Sequence, residues 1–187
     1  MTSTRPLSRR LAGRRNLRVP AVLLAVASLA LAACGDSGGD AGPAPTLPTE
    51  CTPIRSPDVL EGSHIPDGEK ATYNSTPPSS GKHYARPVQV GGYTEPIPNE
   101  RQVHNLEHGH VMIQYRGLSD AQIDRLEEVV LDDPKMVLLA PYPDMDPAVA
   151  FTSWGKIQTC DAWTEAMPAL ARYFIDRNRD NAPESVP

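Results

Sequence analysis

No CxxC and no HExxH occurs in this chain, and it holds only three cysteines. The first absence weighs against the alternative in which Cys51 and Cys160 are metal ligands, since neither sits in a CxxC or next to a histidine. The second excludes a zincin protease, because the residue after His104 is Asn105 where that motif needs its catalytic glutamate. Met1 to Arg18 contains six arginines and no acid. The apolar segment behind it, "VPAVLLAVASLALAA" from Val19 to Ala33, is too short for a comfortable membrane span and has the length of a signal h-region. No internal repeat is visible.

The apolar segment ends in "LAAC", Cys34 followed by Gly35, which has the form of a bacterial lipobox. The expectation is cleavage before Cys34 and lipidation of its thiol, leaving the protein membrane-anchored on the extracytoplasmic face; an ordinary secretory signal is the alternative. "SRRLAG" is a weak hint of twin-arginine export. Removing residues 1–33 takes away 6 of the 18 Lys+Arg and none of the 23 Asp+Glu, so the remainder carries 12 against 23, a net −11. Such a domain does not favour nucleic acid, and it tolerates or attracts cations.

Residues 34–50 contain Leu47 as their one large apolar side chain and read as a flexible tether. Residues 51–187 suffice for one compact domain. Its two cysteines, Cys51 and Cys160, are expected to pair in an oxidising compartment. Its first half is rich in proline and glycine, and a long irregular segment in a compact domain is usually functional or disordered.

The second half is regular. "HVMIQYR" alternates like a strand; "LSDAQIDRLEEVVLDD" reads as a helix opened by a Ser119/Gln122 capping box and ended by Pro134. "MVLLAPY" reads as a buried strand, "AVAFTSWGKIQTC" as one strand or a pair, and "TEAMPALARYFIDRNR" as a second helix with Pro168 in its first turn. This order predicts an α+β fold: one mixed or antiparallel sheet, two helices on one face, and a loop-rich N-terminal half.

"VHNLEHGHVMIQY" concentrates three of the five histidines. His104 and His108 are four apart, the spacing that lets two imidazoles share one ion from a helical turn. His110 lies beyond Gly109, where the turn should become strand, and is a possible additional ligand. His83, in "SSGKHY", and Met145, in the proline-rich acidic loop "APYPDMDP", complete a candidate set. Imidazoles with a thioether point to copper; zinc is the alternative and would recruit Glu107 or Asp144 in place of Met145. Glu107 is expected behind the ligands, holding an imidazole in its metal-binding tautomer. His64 reads as an ordinary surface or hydrogen-bonded residue. Two other readings stay open: a hydrolase that uses a metal or His108 with Glu107, and an interaction module whose histidines are structural. Ser79–Ser80 before Gly81 reads as a turn.

"YNSTPPSSGKHY", "EPIPNERQVHNLEHGHVMIQY", "APYPDMD" and "FTSWGK" together resemble the bacterial family called domain of unknown function 3105, over about Tyr73 to Asn178. "HNLEHG" is the most specific of these motifs. The resemblance implies an exported, often membrane-anchored domain, in which the segments carrying His83, His104, His108 and Met145 belong to the family pattern. It implies no particular reaction.

Overall fold

The computed structural model describes residues 43–184. Cys34, the signal segment and most of the tether lie outside the described residues. Among the described residues no helix is long and apolar enough to cross a membrane.

Five strands form the main sheet: β3 (Gly91–Gly92), β4 (Val111–Tyr115), β5 (Val137–Pro141), β6 (Val149–Ser153) and β7 (Lys156–Cys160). Their order is β3-β5-β4-β6-β7, with β5 parallel to both β3 and β4 and the β4, β6, β7 side antiparallel. The expected mixed sheet and α+β class are therefore present. "AVAFTSWGKIQTC" forms the hairpin of β6 and β7, with Phe151 opposite Gln158. The alternation of the strands decides the layers, since successive side chains point to opposite faces. Val111, Ile113, Leu139 and Phe151 pack under helices α2 (Asp120–Asp132) and α3 (Met167–Asn178). At the start of α2 the expected Ser119/Gln122 capping box is present, and in it the Ser119 backbone N–H donates to Gln122 Oε1 at 2.9 Å.

The other face holds what the hydrophobic pattern does not announce. A third helix, α1 (Asn99–Glu107), covers Met112, Leu138 and Ala140 through Leu106, with Ile97 just ahead of it. Its remaining buried side chains are mostly polar: Glu100, Gln102, His104, Asn105 and Glu107. Each of them pins another segment. Glu100 accepts from the Ala71 backbone and Lys70. Gln102 donates to the Ile97 carbonyl and accepts from Gln114, which also donates to Thr152. Asn105 both accepts from the Val88 N–H and donates to the Val88 carbonyl. The irregular N-terminal half is thus ordered by hydrogen bonds to one polar helix, and these bonds satisfy the groups the helix buries.

A short parallel ladder, β1 (His64–Ile65) with β2 (His83–Tyr84), lies beside α1 and sets His64 opposite His83. Cys51 and Cys160 are bonded, tying the start of the domain to the end of β7 across 109 residues.

Candidate metal centre

Four side chains converge where β1, β2 and α1 meet. One ligand atom each from His64, His83, His104 and Glu107 lies within 4.8 Å of the others. His83, His104 and Glu107 are buried, while His64 is exposed and forms the outer wall. Two features of local structure produce this. The ladder register places His64 beside His83. On α1, His104 and Glu107 are one turn apart and so share the face turned to β2.

The hydrogen bonds settle which nitrogens point inward. His83 Nδ1 is 2.8 Å from the Gly81 carbonyl oxygen, and His104 Nδ1 is 2.6 Å from that of Tyr84. A carbonyl only accepts, so both Nδ1 atoms carry hydrogen and both Nε2 atoms present their lone pairs in the neutral ring. This is the arrangement by which a protein prepares histidines for a metal. His83 Nε2 meets Glu107 Oε2 at 2.8 Å, and His64 Nε2 stands 3.9 Å from the same oxygen. Burial pushes the His104 pKa down to about 4; the Tyr84 carbonyl opposes the shift, and His108, His83 and His64 add to it. A ring so placed stays neutral at ordinary pH, as a ligand must.

Gly62 closes the back of the site. A Cβ there would lie 2.9 Å from the Trp154 ring and 3.2 Å from Glu107 Oε1.

The sequence-derived candidates fall into four places. His83 and His104 are in the convergent group. His108 caps α1, with its Nε2 2.8 Å from His104 Nε2, and belongs to a second group with Glu107 and Glu184. His110 is drawn to the helix end, where its Nδ1 donates to the Asn105 carbonyl at 3.0 Å; burial lowers its pKa. Met145 is 0% exposed and packs with Tyr142 and Ala150. Glu107 sits on the inward nitrogen of His83, and the tautomer-setting role expected of it is filled by the Gly81 and Tyr84 carbonyls. Gly109, with φ +83, makes the expected change from α1 to β4.

His64 was not expected here. A signal for it does exist: "GSHI" at Gly62–Ile65 and "GKHY" at Gly81–Tyr84 share the pattern glycine, any residue, histidine, large apolar residue, and they are the two paired strands.

The family described as "Protein of unknown function (DUF3105)" matches residues 64–186. The chain belongs to this family. Its matched region begins at His64 and takes in every residue of the convergent group. No curated protein and no solved structure matches the chain.

Proposed function

We propose that this member of the family binds a transition-metal ion through His64, His83, His104 and Glu107, and does so outside the cytoplasm on a lipid anchor at Cys34. The observation that carries the metal reading is the pair of Nδ1-to-carbonyl hydrogen bonds, which turn the Nε2 atoms of His83 and His104 toward one buried carboxylate. His83 Nε2 and Glu107 Oε2 are both acceptors when the ring is neutral. At 2.8 Å they need a proton or a cation between them. Three nitrogens and one carboxylate oxygen fit the fourfold coordination of zinc, and divalent copper heads the affinity order for such donors. Met145 would favour Cu(I); its packing with Tyr142 and Ala150 gives it a role as a hydrophobe, so the reading here is a divalent ion.

The anchor is supported by "LAAC" and by the arginine-rich, apolar leader, and the Cys51–Cys160 bond agrees with an oxidising compartment. Cys34→Ala should release the protein from membranes or block its maturation. Fractionation identical to wild type would remove the anchor from the account.

Binding is preferred to hydrolysis on two observations. One cleft of about 350 Å³ is lined by residues such as Lys70, Ile97, Tyr142 and Asp144, and another of about 380 Å³ by Arg55, Asn74 and Thr76; neither is lined by the convergent histidines or Glu107. The sequence GxSxG occurs once, at Gly35–Gly39, outside the described residues and in the stretch that reads from sequence as a tether, whereas a nucleophile elbow joins a strand to a helix.

Elemental analysis of protein purified without a histidine tag, followed by competition titration, tests the proposal. The wild type should bind Zn(II) or Cu(II) tightly, and His83→Ala and His104→Ala should bind neither. Equal affinity in the variants would refute the site.

A further inference from the structure

Glu107, His108 and Glu184 form a second group of donor atoms within 4.8 Å of one another, and it shares Glu107 with the first. We infer that the domain holds two metal ions side by side, bridged by the Glu107 carboxylate, with His108 and Glu184 completing the second position. This inference rests on the metal reading of the first site.

Three observations meet here. The first is His108. His104 Nδ1 is committed to the Tyr84 carbonyl, so at the 2.8 Å contact between the two Nε2 atoms the hydrogen belongs to His108. The other ring nitrogen of His108, Nδ1, is then a bare lone pair; it is buried and has no hydrogen-bond partner. An unpartnered buried acceptor is costly, and a cation relieves it.

The second is the path of the chain after α3. Asp180 N–H donates to the Gly109 carbonyl, Asn181 Nδ2 to the Trp154 carbonyl at 2.7 Å, and Glu184 N–H to the Glu107 carbonyl. Three bonds in five residues strap the C-terminal segment across the end of α1. They deliver the exposed Glu184 carboxylate to a corner where the buried Glu107 carboxylate already stands. Two like charges brought together repel unless a cation lies between them.

The third is the geometry of Glu107 itself. Its Oε2 faces His83 and His64, which leaves Oε1 as the oxygen for the second ion. Filling the first position uses the His104 Nε2 lone pair and takes away the acceptor of His108. That frees the His108 ring for Glu107 and Glu184, so the first ion prepares the second position. Two cations also suit a domain whose net charge, without its leader, is strongly negative.

The test is stoichiometry. The metal-free full chain is titrated with Co(II), whose visible absorption reports coordination, and with Zn(II) in equilibrium dialysis. The wild type should take up two equivalents, the second more weakly, and Glu184→Ala one. Glu184 is exposed and outside the helices, so the variant should fold normally. His108→Ala should also drop to one equivalent. One equivalent in the wild type, or two retained in Glu184→Ala, overturns the bridged pair and leaves the single site standing. No uptake in any variant overturns both.

Discussion

Nε2 of His83 and Oε2 of Glu107 stand 2.8 Å apart with both side chains buried, and Nδ1 of the same ring is held by the Gly81 carbonyl. The contact therefore involves the nitrogen a metal would take. A carboxylate that merely supported a ligand would sit on Nδ1. Glu107→Gln keeps the volume and removes the charge. Supporting partners usually cost about 10–100-fold in affinity when mutated, and as a direct ligand Glu107 should cost at least the upper end of that range. A loss under about 10-fold in a competition titration would return Glu107 to a supporting role.

His64 and His110 should separate cleanly. His64 is exposed and reaches the group only through its ring, so His64→Ala should lower metal affinity and leave the melting temperature of the metal-free protein nearly unchanged. His110 caps the end of α1. His110→Ala should cost about 0.5–1.5 kcal/mol, the net worth of one hydrogen bond, and leave affinity alone. The opposite pattern would mean that the roles are exchanged.

Met145→Leu should be close to silent. A volume-conserving swap in an apolar cluster costs less than about 1.5 kcal/mol. Zn(II) and Cu(II) affinities should stay at wild-type values. A selective fall in Cu(I) affinity, measured against a Cu(I) chelator, would put the sulfur back into the site.

Acid should weaken the metal-free domain in a defined window. Burial is the first cause that lowers the His104 pKa to about 4 in the fold, from the ordinary imidazole value of 6.5 that applies when the chain is unfolded. Between those values the unfolded chain binds more protons, so the stability this ring contributes is complete above pH 6.5 and is lost as pH falls toward 4. The shift at His110 has the same sign. Urea midpoints across that window should fall for wild type and fall less for His104→Gln. Parallel curves would show that His104 does not govern the slope.

The disulfide closes a loop of more than a hundred residues, and chain entropy alone assigns such a link about 4–5 kcal/mol. Reduction, or Cys51→Ala with Cys160→Ala, should lower the melting temperature by many degrees. An unchanged melting temperature would mean that the bond does not constrain the unfolded chain as argued.

The regular half of the fold was legible because its elements obey the periods on which sequence reading depends. β4 alternates, α2 and α3 carry apolar stripes, and the β6–β7 hairpin lies where an apolar run is interrupted by Gly155. α1 was legible only as a short turn with two histidines. Its buried face is built of Glu100, Gln102, His104, Asn105 and Glu107, and a hydrophobic period does not detect a helix that buries polar groups. The spacing within "HNLEHG" marked His104, Glu107 and His108. His64 was invisible to that reasoning because its place depends on the register of β1 against β2, which is a long-range fact. Glu184 is brought in by a strap after the last helix, with no spacing relation to the motif.

Anomalous diffraction at the Zn edge, on crystals of the Zn(II)-loaded protein, would locate the ion itself. The peak should be bounded by Nε2 of His83 and of His104 at about 2.0–2.1 Å, with Glu107 and His64 bound to the same ion. A Zn(II) peak elsewhere in the domain, with the His83–Glu107 contact still closed at its present length, would contradict the proposed site.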